Sequence, residues 1–353
     1  MSSKLSTRFL PESEYGEWNR LVALSPDGSI YSTPEYLDVL SSTAGARFRI
    51  LVAERSGELL GGVGLFERQS AWGTFVAPRL LLYYNGFVLR PHESKYPSER
   101  TARQLEILTQ LRQAVERAGY GRAMFRNRCT LRDARPFRAM GWDVWLTYTY
   151  VVPLGDLEAL WGRIEQNLRR LVQRCGRQGV QFSDDDDFDS FYRMHHQTHE
   201  RKGITLYLPR PQFQRYFECL RSLNLCRLYH ARLPDGRSIA AQLVLIGPHA
   251  VSHTVCAGAD GEFLKIGATA FLRWKAFEEL SRLGHSANDL TDAALNPVTH
   301  FKSQLGGDLE QCLNLRAPES PPFRLERAAF DALRAVRSAA GALARRLGLR
   351  RPR

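Results

Sequence analysis

The residues best placed to do chemistry stand close together late in the chain. Asp289 and Asp292 lie in Asn288-Asp289-Leu290-Thr291-Asp292, and Phe301 and Lys302 lie in Val298-Thr299-His300-Phe301-Lys302-Ser303-Gln304-Leu305-Gly306-Gly307. Taken alone, Asp289 either handles a proton or caps a loop, and Lys302 is a lysine beside a turn. Two other groups invite a metal reading. Asp184 to Asp187 form an acidic run, but acids at a helix start are favoured by the dipole and need no ion. His195 and His199 are four apart and share a helix face, with His196 beside them. The zinc-protease pattern needs a glutamate between two such histidines, whereas the interior here reads His196-Gln197-Thr198. His199 is therefore expected to line a cleft as a substrate contact or to pack, and no metal site is expected. The six cysteines, 129, 175, 219, 226, 256 and 312, form no CxxC pair, which argues against a zinc site or a disulfide frame.

The elements that must position these residues occur twice. A strand, a glycine turn at Ser56-Gly57, a strand from Leu59 to Phe66, a helix over 101–118 and a corner at Met140-Gly141-Trp142-Asp143 make the first copy. The second runs from Leu228 through Asp235-Gly236, Ile239 to Ile246, a helix over 267–283 and Leu305-Gly306-Gly307-Asp308. Gly119 and Gly284 are 165 residues apart, and so are Gly141 and Gly306. A period that long means a duplicated domain, since solenoid repeats are far shorter. Two similar α/β (α+β) domains are expected, each a mixed twisted sheet flanked by helices, over 1–152 and 153–320, with a cleft between them. Pro11 to Leu24 and Thr33 to Leu40 predict helices. Leu80 to Leu89 predicts a strand broken at Asn85-Gly86, and Tyr148 to Pro153 another strand. Leu157 to Gln178 predicts one helix, and Asp184 to Glu200 the next. The Gly61-Gly62-x-Gly64 cluster has no helix and lysine after it, so it is a small-residue strand and not a phosphate loop.

A helix led by Gly267-Ala268-Thr269-Ala270, a strand ending in an aspartate, and Phe-Lys-x-x-x-Gly-Gly together resemble a known family. They resemble the Fem-type branch of the GNAT acyltransferase superfamily, whose members carry twin GNAT-like domains. Arg170 to Val180 is similar to its linking helix, and Tyr84-Asn85-Gly86 to a Tyr-Gly-Gly segment of its first domain. The resemblance spans roughly residues 30 to 315. It implies transfer of an acyl group from coenzyme A, or an aminoacyl group from tRNA, to an amine. It places the carrier's phosphates at the helix start Lys265-Ile266-Gly267-Ala268-Thr269-Ala270, where backbone N–H groups and the dipole favour an anion. Leu264 stands where the family has arginine or glutamine, and Thr269 where it has a small residue. The first copy begins its helix with Ser98-Glu99-Arg100-Thr101, and that half, with Tyr84, Asn85 and Gly86, is expected to bind acceptor. Lys302 and Phe301 are implied to lie at the active cleft, the lysine on a phosphate or carbonyl oxygen. Asp289 would serve the acceptor amine, with His253 a further polar residue on the second strand of that domain.

The chain of 353 residues carries a net charge of +12, concentrated at its end. From Arg324 onward nine arginines face only Glu326 and Asp331, a local excess of +7. Leu325, Ala329, Leu333, Val336, Ala340, Leu343 and Leu347 recur at helical spacing, so 321–353 predicts a basic amphipathic helix beyond a hinge at Pro318 to Pro322. Such a helix suits an anionic surface, lipid headgroups or RNA phosphate, or is a solvated helix docked on its own protein. No spanning helix or secretory leader is evident, and the expected location is cytoplasmic, at or near the inner face of the membrane. The acceptor expected is an amine of a cell-envelope or polysaccharide precursor. The competing expectation is a non-catalytic twin-domain scaffold that binds an anionic ligand or RNA.

Overall fold

A computed structural model describes residues 4–79, 81–202 and 208–332. The first half contains β1 (Ser6–Phe9), α1 (Tyr15–Leu24), α2 (Pro34–Ala44), β2 (Arg47–Arg55), β3 (Glu58–Ser70), β4 (Gly73–Val76), β5 (Phe87–Leu89), α3 (Pro97–Arg117), β6 (Arg122–Arg126), α4 (Arg135–Arg138) and β7 (Asp143–Pro153). The second contains α5 (Leu157–Arg163), α6 (Gln166–Arg177), β8 (Gln181–Asp184), α7 (Phe188–Lys202), α8 (Arg210–Ser222), β9 (Cys226–Arg232) and β10 (Ser238–Leu245). It ends with β11 (Val251–Ala259), α9 (Ala268–Arg282), β12 (Ala287–Asp289), α10 (Pro297–Ser303) and β13 (Asp308–Arg316). All strands join one 13-stranded mixed sheet in the order β1-β2-β3-β4-β6-β13-β7-β12-β11-β10-β9-β8, with β5 on β3.

The two halves exchange strands at the centre of this sheet. β13 pairs with both β6 and β7, and β7 pairs with both β12 and β13. Thr147 and Cys312 face each other across the β7–β13 ladder, and they are separated by the same 165 residues that relate the sequence copies. The long antiparallel ladder is therefore a pseudo-two-fold axis. The glycines that define the repeat share a conformation as well. Gly119 and Gly284 have φ of +70° and +88°, and Gly141 and Gly306 have +80° within a few degrees. Each pair turns the chain through the left-handed region that only glycine enters without strain.

Several expectations are corrected. The 80–89 strand shrinks to β5, because Asn85 is used to hold a loop: its Oδ1 accepts from Arg126 N–H at 2.9 Å and its Nδ2 donates to Met124 O at 2.9 Å. Leu157 to Gln178 is two helices, broken at Ile164-Glu165, where Glu165 N–H turns to Gln304 O. Of the acidic run only Asp184 ends a strand, while Asp187 caps α7 as expected, its Oδ1 accepting from Ser190 N–H at 3.0 Å; β1, β8 and α8 were not legible as separate elements. The described part of the basic tail is helical over 321–332, and the rest of that expected helix lies outside the described residues. No helix of the described residues is long and apolar enough to cross a membrane.

The largest apolar core lies where the halves meet. Tyr36, Leu37 and Leu40 of α2 pack there with Phe213, Tyr216, Phe217 and Leu220 of α8. Tyr36 and Tyr216 share a hydrogen bond of 2.8 Å between hydroxyls. The acidic run serves this second half: Arg232 donates to Asp185 at 2.9 and 3.0 Å and to Asp187 at 2.9 Å, so both carboxylates are already offset by a guanidinium. His230 lies beside them, 3.5 Å from Asp185 and fully buried.

Burial holds His230 at a pKa of about 4, and burial with the Arg128 charge does the same to His249. Both are neutral in the fold and charge readily once unfolded. Their contribution is present above the ordinary histidine pKa of about 6.5 and is lost as pH falls through the interval down to about 4. The expected result is a stability loss of about 3 kcal/mol per histidine over that interval. Urea midpoints at pH 7, 5.5 and 4.5 check it; a flat profile for the wild type, or an unchanged slope in His249→Gln, would refute the assignment.

Candidate active site

β12 is three residues long and delivers Asp289 to the join between the halves. The carboxylate is 1% exposed and accepts three hydrogen bonds. Tyr84 Oη donates to Oδ2 at 2.7 Å, while Thr149 Oγ1 at 2.5 Å and Thr291 N–H at 2.8 Å donate to Oδ1. Tyr84 and Thr149 come from the first half, 205 and 140 positions away. His253, opposite Asp289 in the parallel β11–β12 register, places Nδ1 3.7 Å from Oδ2. Its ring is fully buried between Tyr31 and Tyr84, with centroids 4.9 and 5.8 Å away. Among the described residues, neither ring nitrogen of His253 nor the hydroxyl of Tyr31 has a hydrogen-bond partner. Burial, and then the Arg128 charge, hold the imidazole well below its usual pKa, so it is a neutral ring with a lone pair to offer. Burial likewise pushes the Tyr31 and Tyr84 phenols up, and the Cys312 thiol beside them to about 12.

The other expected site residues separate into distinct roles. Lys302 Nζ donates to the carbonyls of Thr291 and, at 2.7 Å, Asp292. Those two residues have φ of +46° and +61°, so the lysine fastens a left-handed loop immediately after Asp289. Phe301 packs half-buried against the core of the second half. Asn85 and Gly86 support the site from behind: a Cβ on Gly86 would come within 2.3 Å of Asn127 Oδ1, the atom that accepts from Phe87 N–H. His199 lies on α7, with Nδ1 2.9 Å from His195 O and its ring 4.2 Å from that of His195. His253 and Tyr31 were the residues least legible beforehand; a tyrosine in an apolar stretch and a histidine on a strand read as packing until the fold sets them beside a carboxylate.

α7 also closes part of β11. β12 stops opposite His253, whereas β11 runs on to Ala259 beyond a register shift. Over that stretch Thr198 Oγ1 accepts from Ala259 N–H at 3.3 Å, Arg201 donates to Ala259 O at 2.9 Å, and His195 Nδ1 lies 3.3 Å from Ala257 O.

Residues 162–303 match the acetyltransferase (GNAT) domain family. Among solved structures, FemX is 12% identical with a TM-score of 0.70, over 87% of this chain and 96% of that one. The chain has a Fem-like twin GNAT fold. A tandem GNAT protein from the clavulanic acid biosynthesis pathway is 14% identical, with a TM-score of 0.51 over 90% and 99% of the two chains. L-PGS from Bacillus licheniformis is 13% identical, with a TM-score of 0.51 over 83% and 95%. No curated protein sequence matches the chain.

Within the twin GNAT fold the two copies are chemically unequal. The 165-residue offset maps Asp289 onto Met124 and Lys302 onto Phe137, so carboxylate and ammonium belong to the second copy only. The start of α9 differs from that of α3 in its left-handed glycine, though neither has a side-chain cap. Gly267 holds φ +95° and is covered by α6: a Cβ there would stand 2.7 Å from Leu171 Cβ. No side chain caps α9, which leaves the first-turn amides of Ala268, Thr269 and Ala270 without an intrahelical acceptor. Lys265 and Leu264 are exposed just before it, Ile266 is half-buried, and Arg174 of α6 donates to Lys265 O.

Proposed function

We propose that this protein is an N-acyltransferase, moving an acyl or aminoacyl group from a carrier to an amine on a cell-envelope or polysaccharide precursor. The observation that carries the reading is the buried Asp289–Tyr84–His253 constellation, built from both halves of a twin GNAT fold and absent from the first copy. The acceptor amine loses its proton toward His253 and Asp289, and its nitrogen attacks the carrier's carbonyl. The C–S or C–O bond of the carrier breaks, and the released thiolate or alkoxide takes a proton. Asp289 stabilises a neighbouring positive charge, and Tyr84 and Thr149 fix which lone pairs remain available.

The carrier is acyl-coenzyme A or aminoacyl-tRNA, with phosphate against the amides of Ala268, Thr269 and Ala270 and the ammonium of Lys265. Those residues fit an anion, because the helix start is uncapped. When bound, the carrier supplies the activated carbonyl. One observation favours the second reading, a non-catalytic scaffold: the β11 backbone at Ala257 and Ala259 is occupied by α7 side chains, where a carrier arm would otherwise compete for those groups.

Calorimetric titration with acetyl-coenzyme A tests the choice. Stoichiometric binding is expected, weakened about tenfold or more in Thr269→Glu, whose carboxylate repels phosphate while remaining favourable to the helix dipole. Failure of both acetyl-coenzyme A and aminoacyl-tRNA to bind would remove the transferase reading in favour of the scaffold. The basic tail, as a proposal of the same kind, keeps the protein at an anionic membrane surface.

A further inference from the structure

α9 buries one stripe against the sheet: Ala270, Arg273, Ala276, Phe277 and Leu280. Four of these are apolar, as a helix covering a sheet requires. Arg273 is not, and it is only 8% exposed. Among the described residues it makes no ion pair and no hydrogen bond, and Nη1 is buried without a partner. Burial alone draws its pKa down to about 10, with no carboxylate acting in the other direction.

The sheet beneath α9 answers with polar but uncharged groups. Gln242 of β10 lies on the same strand face as Ala240 and Val244, which belong to the core under this helix. It is 1% exposed, and among the described residues neither its Oε1 nor its Nε2 has a partner. Thr254 is opposite Val244 in register, and it bonds Asn288, which in turn bonds Ser252. All three are buried. A guanidinium without a counter-ion is costly to bury, and an orphaned amide adds to that cost. Arginine side chains lean toward the start of their helix, where the uncapped amides add further positive potential.

We propose that Arg273 and Gln242 form a buried oxyanion subsite that recognises the carboxylate of a small organic acid. Its charge is the argument for carboxylate over phosphate. One guanidinium, with otherwise neutral neighbours, balances one negative charge, whereas a phosphate monoester carries closer to two at neutral pH. The planar guanidinium also matches a carboxylate in two parallel hydrogen bonds, and the Gln242 amide supplies a further donor. The subsite stands independently of acyl transfer.

Thermal melts of the full chain test it with sodium acetate and sodium propionate against sodium chloride at equal ionic strength. A rise of roughly 2 °C is expected for a carboxylate about tenfold above its Kd, and none for chloride. In Arg273→Met the carboxylate response disappears, and without added acid the variant melts no lower than wild type, since an apolar isostere replaces an unpaired charge. Gln242→Leu, which keeps the arginine, weakens the response several-fold. Equal shifts with chloride, a response retained in Arg273→Met, or a lower melting temperature for that variant without acid would each overturn the proposal. A response to inorganic phosphate with none to carboxylates would overturn the carboxylate assignment. Acyl-donor binding is read separately by titration, so failure of one reading leaves the other standing.

Discussion

Asp289→Asn is expected to reduce amine acylation by about 10²- to 10⁴-fold while leaving the chain folded. The substitution preserves shape. The asparagine carbonyl can keep the bonds from Thr149 and Thr291 N–H, and its amide can donate to Tyr84 Oη, which rotates its hydroxyl to accept. What disappears is the negative charge beside His253, 3.7 Å away, and with it the group that stabilises a proton taken from the acceptor. A loss confined to kcat, with acceptor KM changed little, is the signature of a charge used in the transition state. A wild-type rate for Asp289→Asn would place the reacting atoms elsewhere and leave Asp289 as the post that ties the two halves together. Because three donors converge on the carboxylate, Asp289→Ala would strand them in the interior and confound catalysis with folding.

Gly258→Ala is expected to cost about 3 kcal/mol of stability. A Cβ at residue 258 would stand 2.4 Å from His195 N, 2.5 Å from Met194 C and 2.8 Å from His195 Cα. All three are backbone atoms of α7, so no side-chain rotation relieves the contact. α7 must lift from β11, which breaks the bonds that Thr198 and Arg201 make to Ala259 and separates His195 from Ala257. Urea unfolding checks it beside Gly16→Ala in α1, where a Cβ meets nothing within 4 Å and helix propensity favours alanine. The two variants should move in opposite directions. A midpoint for Gly258→Ala near that of wild type would mean α7 is not seated on β11 in solution.

The same close seating bears on function. If α7 lifts when a carrier binds, Gly258→Ala would destabilise the free protein yet weaken carrier binding less than its stability loss suggests. Titration of the folded variant would show this directly.

The sequence by itself determined the duplication, its 165-residue offset and the fold family it resembles. These are legible because turn glycines, strand alternation and helix periodicity are local patterns, set by backbone geometry within a few residues. The offset even carries the central register, since an antiparallel pair on a two-fold axis must join residues one repeat apart, as Thr147 and Cys312 do. The same arithmetic shows that only the second copy has an acid and a lysine at these positions. Tertiary structure alone decided what those groups touch. The resemblance puts Lys302 on a ligand oxygen, and the fold gives its ammonium the Thr291 and Asp292 carbonyls, because α10 turns it back onto the loop. Gly267 looked like room for phosphate and instead lies under Leu171. Tyr84 meets Asp289 because strand exchange at the sheet centre brings together residues 205 positions apart, whereas Arg273, over the sheet of its own half, meets no acid among the described residues. Hydrogen bonding and burial depend on such neighbours, which no local pattern in the chain encodes.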